Sequence, residues 1–216
     1  MTRVLVADDH AIVREGLKRI LEGQEGIDVV GEATNGHEVL ERVREGGFDI
    51  LMLDLSMPGK SGIDLIKQVK DESPKLRVLV LTMHEEDQYA VRAIRAGASG
   101  YLTKESAPGQ LVSALRRLAE GRLYISANVA EQLALDVQPR DDEAPHRHLS
   151  DREFEVFQLL VSGRSISEIA AQLHLSVKTV STHKTRILQK MSVASVADLV
   201  RYAIRHRLAP GEPPAG

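Results

Sequence analysis

The 216-residue chain has no cysteine, which excludes disulfides and thiolate metal sites and leaves no clue to a redox compartment. It has no apolar run long enough to cross a bilayer, and no internal repeat. Its first residues, Met1-Thr2-Arg3-Val4-Leu5-Val6, enter strand-like sequence at once, so no secretory leader is expected. A cytoplasmic location is the expectation, away from membranes. The length suits one large or two small domains, each able to bury a core. The net charge of −3 hides an asymmetry. Residues 146–209 carry ten Lys/Arg against five Asp/Glu, whereas residues 1–145 carry eighteen against twenty-five. An acidic first part and a basic second part suggest that only the second meets a polyanion.

The most informative stretch is Ile50-Leu51-Met52-Leu53-Asp54, with Pro58-Gly59 after it. Unbroken apolar runs bounded by turn signals suit strands buried on both faces of a parallel sheet. Similar candidates are Val4–Ala7, Asp28–Gly31, Val78–Leu81 and Gly100–Leu102. Amphipathic stretches follow them near 10–23, 36–46, 61–71, 86–96 and 107–121. Five βα units predict a doubly wound, flavodoxin-like α/β domain, for which 2-1-3-4-5 is the common strand order. In that order Asp8 and Asp9, ending the first strand, lie beside Asp54, ending the third. Three converging carboxylates repel one another unless a cation neutralises them, and an all-oxygen set favours Mg²⁺. Thr82 and Lys104 end the fourth and fifth strands, as a hydroxyl and an ammonium able to hold phosphoryl oxygens. The set reads as a carboxylate nucleophile with its stabilising groups.

Asp8-Asp9, Asp54, Thr82 and Lys104, with Tyr101-Leu102-Thr103-Lys104, resemble a response-regulator receiver domain over about residues 1–121. The resemblance implies that Asp54 is phosphorylated by a partner histidine kinase. It further implies that Asp8, Asp9 and Asp54 bind Mg²⁺ with the backbone carbonyl of Ser56, and that Thr82 and Tyr101 form the switch pair. Ser56 and His84, two residues beyond Asp54 and Thr82, are expected to tune the lifetime of the phosphoryl group, partly on the same resemblance. One departure is Glu105, where many receivers have proline.

Residues 122–146 break the pattern. Ser126–Val137 has helical spacing, and Pro139–Pro145 is polar and bracketed by prolines, so the stretch reads as a linker with a short helix. From Leu149 the periodicity is helical only. Ser150 with Glu153 forms a capping box, Ser165 or Ser167 opens a short helix, Ser176 a longer one to about Met191, and Ser195 a last one through His206. On the third of these helices Val177, Val180, Ile187, Leu188 and Met191 share one side. Lys178, Ser181, Thr182, Thr185 and Gln189 lie opposite, where short polar side chains suit a major groove. Thr179, Lys184, Arg186 and Lys190 flank them and suit phosphates. His183 reads as a packing residue at the core edge.

Leu149–Glu153, Gly163–Ala170 and Ser176–His183 resemble the four-helix DNA-binding domain of LuxR-type regulators, over about residues 147–209. Receiver plus this module is similar to the NarL/FixJ subfamily of two-component transcription factors. That resemblance implies a regulator of transcription on double-stranded DNA, not an enzyme, which forms a homodimer through its last helix when phosphorylated or on DNA. Ser181 stands where many members have lysine. Residues 210–216 read as a disordered tail. Two rivals were weighed. A haloacid-dehalogenase-type phosphatase would need an Asp where Ser56 stands; a DNA binder with an inert receiver is disfavoured by the intact acidic site.

Overall fold

The computed structural model describes residues 1–57, 62–82, 87–106, 108–135, 144–206 and 208. His84, residues 58–59, most of the proline-bracketed stretch and the tail at 210–216 lie outside them. The chain divides into two compact units, Met1–Leu135 and Asp136–Gly216.

In the first unit the strands are β1 (Thr2–Ala7), β2 (Ile27–Ala33), β3 (Ile50–Asp54), β4 (Arg77–Thr82) and β5 (Gly100–Thr103). Between and after them run α1 (Ala11–Leu21), α2 (Gly36–Glu45), α3 (Gly62–Glu72), α4 (Asp87–Arg95) and α5 (Pro108–Ala119). The sheet is parallel throughout, in the order β2-β1-β3-β4-β5. Every residue of β3 is buried, as its unbroken apolar run implies. Alternation splits the core between two faces. Val4, Val6, Ile50, Met52, Leu79 and Leu81 pack with Leu21 of α1 and Leu111, Leu115 and Leu118 of α5. Their neighbours Leu5, Leu51, Leu53, Val78 and Val80 are buried on the other side. Local signals stop and start the helices. Asn35 caps α2 by accepting from the amides of His37 and Glu38, and Gly46 ends it at φ 71°, a conformation glycine adopts without steric cost.

Residues 122–135, read above as the start of a linker, pack as part of this first unit. The Tyr124 amide donates to Ser99 O, and the Tyr101 amide donates to Tyr124 O, both at 3.0 Å. The chain thereby extends the sheet edge beyond β5 before forming α6 (Ala127–Leu135). Its nearness to the polar, proline-bracketed stretch hid this; the binding is done by backbone groups and by a cluster that Ile125, Val129 and Leu133 join.

The second unit holds a 3-10 turn (Pro145–His148), α7 (Asp151–Val161), α8 (Ile166–Gln172), α9 (Val177–Lys190) and α10 (Val196–Arg205). Both Ser150 and Ser165 make complete capping boxes, with Glu153 and Glu168, which settles the start of α8 on Ser165. Ser176 and Ser195 cap α9 and α10. Phe154, Phe157, Ile169, Val180, Ile187, Leu199 and Ala203 are fully buried here. Val177, placed on the apolar side of α9 from spacing alone, is instead 52% exposed. It is the first residue of the helix, and the stripe that begins there reaches cover only at Val180.

Candidate functional site

The parallel register sets Ala7 beside Leu53, so the chain leaving β1 at Asp8 runs beside Asp54 at the end of β3. Asp8 and Asp54 are both 1% exposed, and Thr82 is fully buried at the end of β4. Lys104, just past β5, reaches across: its Nζ lies 2.6 Å from Asp8 Oδ2 and 2.8 Å from Asp54 Oδ2. The Ser56 amide donates to Asp54 Oδ1 at 3.1 Å, and the His10 amide donates to Asp8 Oδ1 at 2.8 Å. The Lys104 loop, with Glu105 in place of proline, closes through the Lys104 amide to Thr82 O (2.8 Å) and the Ser106 amide to Thr103 O (3.0 Å).

Burial pushes the Asp54 carboxyl above the ordinary carboxylate range, against the pull of Lys104 and the Ser56 amide. Burial alone would lower the Lys104 ammonium, but Asp54 and then Asp8 outweigh it and hold it above its usual value. Asp54 is thus a carboxylate that gains from any further cation. Ligand atoms of Asp8, Asp9, His10 and Asp54 lie within 4.8 Å of one another. Among the described residues Asp8 Oδ2 and Asp9 Oδ1 accept no aligned hydrogen bond. Lys104 Nζ lies beside Asp8 Oδ2, and His10 Nδ1 lies 2.9 Å from Asp9 Oδ1. Oxygen donors left without hydrogen bonds in a buried acidic cluster fit a hard divalent cation.

On α9 the side chains of Lys178, Thr179, Ser181, Thr182, Thr185, Arg186 and Gln189 are exposed, and Lys184 is half-buried. The hydroxyls of Thr182 and Thr185 donate to Lys178 O (3.0 Å) and Ser181 O (3.1 Å), so a χ1 rotation would present them outward. His183 is half-buried; burial, then the Arg152 charge, holds its imidazole below the ordinary value.

Residues 4–116 match the response regulator receiver domain family, and residues 147–203 match the luxR family of bacterial regulatory proteins. The chain is 37% identical to the response regulator UvrY of Escherichia coli over 213 residues, 98% of each chain. It is 39% identical to the response regulator GacA of Pseudomonas viridiflava over 207 residues, covering 95% of this chain and 97% of GacA. Among solved structures it resembles RcsB from Salmonella enterica serovar Typhimurium bound to promoter rprA with the phosphomimetic BeF3⁻. The TM-score is 0.64 at 31% identity, covering 94% of this chain and 98% of that one.

The chain is a two-component response regulator.

It combines a receiver with a LuxR-type helix-turn-helix domain, as NarL/FixJ-type regulators do, and its family consists of DNA-binding transcription regulators, not enzymes. The phosphatase alternative ends there. Among the described residues no helix is long and apolar enough to cross a membrane.

The regulator's structure changes the reading of one residue and adds three. Lys190 Nζ donates to Glu153 Oε2 at 2.6 Å and to His148 O at 3.2 Å. Glu153, 4% exposed, also accepts from the Ser150 amide at 2.8 Å. Lys190, whose side chain is 41% exposed, therefore serves the packing of α9 on α7. Helical position alone could not separate it from Arg186, because the partner lies 37 residues away. Arg14 was missed: its guanidinium donates to Asp8 O (2.8 Å) and to Glu32 on β2 (2.9 Å), tying α1 to the acidic turn. His10, beside the two aspartates, was missed as well. Val177 is the third, an exposed apolar group one turn from Ser181.

Proposed function

We propose that Asp54 is the phosphoacceptor of this regulator and that its modification controls DNA binding by α9. The observation that carries the reading is Lys104 spanning Asp8 and Asp54, which sets a cation beside a buried carboxylate, ready for incoming phosphoryl oxygens. In the proposed transfer a carboxylate oxygen of Asp54 attacks phosphorus. The P–N bond of a phosphohistidine on a partner kinase breaks, and the imidazole leaves with the electron pair. Mg²⁺ would be held by Asp8, Asp9, Asp54 and the Ser56 carbonyl, and when bound would supply positive charge for the phosphoryl oxygens. Lys104 keeps its charge throughout and passes from bridging two carboxylates to holding the phosphoryl group. Thr82 turns toward that group, and Tyr101 follows it.

The same reading assigns the receiver to residues 1–121, followed by 122–146, and the DNA-binding domain to 147–209, with 210–216 as a tail. On double-stranded DNA, Lys178, Ser181, Thr182, Thr185 and Gln189 face bases, with Val177 an added apolar contact suited to a thymine methyl. Thr179, Lys184 and Arg186 face phosphates. The protein acts in the cytoplasm and forms a homodimer on DNA or when phosphorylated; α10, with Ile204 64% exposed, offers the apolar surface for it. Ser56 and His84 tune the lifetime of the phosphoryl group.

The test is acetyl phosphate with Mg²⁺ and intact mass. The wild type gains one phosphoryl group and Asp54→Asn gains none. Full labelling of Asp54→Asn would remove the assignment, and a wild type that takes up nothing would restore the inert-receiver reading.

A further inference from the structure

One surface joins the proposed switch to the segment leading away from the receiver. In the β4–β5 register Val80 stands opposite Tyr101, and Thr82 opposite Thr103. Alternation puts these four on one face of the sheet, with Leu79, Leu81 and Leu102 on the other against α5. On the shared face Ala90 and Val91 of α4 and Val129 of α6 form one buried cluster, and Ile94, Tyr101, Ile125 and Leu133 pack against it. Val129 and Leu133, four residues apart, form the inner stripe of α6. The backbone makes the same junction, since the Tyr101 amide itself holds Tyr124 O. A cleft of about 400 Å³ opens between Gln110 and Arg117 of α5 and Tyr124 and Val129, with Tyr101 in its wall. The packing of α6 thus includes α4 and Tyr101.

We propose that α6 is the output element of the receiver: docked on α4 and Tyr101 at rest, and released when Tyr101 follows Thr82 toward the phosphoryl group. The inference rests on the reading of Asp54, Thr82 and Tyr101 given above. A helix of nine residues does not persist in water on its own propensity, so its order comes from the face it buries. Tyr101 is the largest side chain on that face. Turning its ring inward removes it from the cluster that α6 shares with α4 through Val129. In sequence α6 is the last helix before the DNA-binding domain, so its release lengthens and loosens the tether between the two domains. A phosphoryl group at Asp54 would act by biasing this docked–released equilibrium.

Hydrogen exchange on the intact chain tests this, with the extent of phosphorylation read by intact mass on the same samples. Acetyl phosphate with Mg²⁺ should speed exchange of the 129–135 amides by about tenfold or more, while those of α10 stay unchanged. Val129→Asp should show the fast exchange without phosphate and still accept a phosphoryl group; Leu133→Ser, a milder change, replaces it if the receiver fails to fold. A phosphorylated wild type whose 129–135 exchange stays within about twofold of the unmodified protein overturns the release of α6 and leaves the phosphoacceptor reading standing. Slow exchange in both variants overturns the docking contact. If Asp54 accepts no phosphoryl group, the switch reading falls and this inference falls with it.

Discussion

Replacing Lys190 with methionine separates a packing role from a DNA-contact role. The side chain of Glu153 is 5% exposed and that of Lys190 is 41% exposed, so the pair is buried at one end and wet at the other. Exposed pairs contribute roughly 0.2–1 kcal/mol, whereas stripping one partner from a buried pair costs about 3–5 kcal/mol. Here the Ser150 amide still holds the same carboxylate oxygen, and methionine keeps the apolar stem in place. Lys190→Met should therefore destabilise the second unit by about 2 kcal/mol, between those limits. In Glu153→Gln/Lys190→Met no ion is left buried, and most of the loss should return. The pH dependence has a definite sign. Burial raises the Glu153 carboxyl, but Lys190 and Ser150 outweigh it, so the folded value lies below the ordinary one. Its stabilisation is present above the ordinary value and is lost as pH falls through the folded value. Without Lys190 the burial of the carboxyl is no longer outweighed by that ammonium, so the penalty of Lys190→Met should shrink as pH falls through the carboxylate range. Urea unfolding of a fragment from residue 144 onward, across pH, measures both quantities. DNA titration across salt supplies the second readout. A lysine on a phosphate contributes about one unit of salt slope, and the double variant should keep the full slope. A double variant whose slope falls by about one unit would refute the packing role.

Three further outcomes follow from the two sites. Thr182→Ala should weaken operator binding by roughly 1–3 kcal/mol and leave nonspecific binding alone, whereas Arg186→Ala should weaken both and lower the salt slope by about one unit. Equal proportional losses on both DNAs in both variants would reject the division between bases and phosphates. Lys104→Met removes an ammonium from two carboxylates of the proposed metal set and should tighten Mg²⁺ by about tenfold, or ~1.4 kcal/mol, in isothermal titration; unchanged affinity would place the ion elsewhere. The phosphoryl group should decay at altered rates in Ser56→Ala and His84→Ala, and wild-type decay in both would dismiss them as lifetime determinants.

The receiver was legible because its signals are local and periodic. Short apolar runs such as Ile50–Leu53, bounded by turn signals, read as strands, and 2-1-3-4-5 is the common order for five βα units with one handedness of crossover. Once that order holds, Asp8, Asp54, Thr82 and Lys104 sit at adjacent strand ends, so their meeting needs no knowledge of side-chain packing. The caps at Ser150, Ser165, Ser176 and Ser195 were visible for the same reason, since a cap is satisfied within three residues of itself. Tertiary structure alone decided where long side chains spend their ends. Lys190 and Arg186 look alike in sequence, yet one meets Glu153 across the domain. Arg14 finds Asp8 O only because α1 folds back over β1. Val177 obeys the spacing of the buried stripe and is still exposed. Residues 122–135 lead into a polar, proline-bracketed stretch, yet they join the receiver through two backbone bonds at Tyr124 and the apolar cluster they share with α4 and Tyr101. Periodicity records which face of an element is apolar; what covers that face, and how far the cover extends, depends on elements distant in the chain.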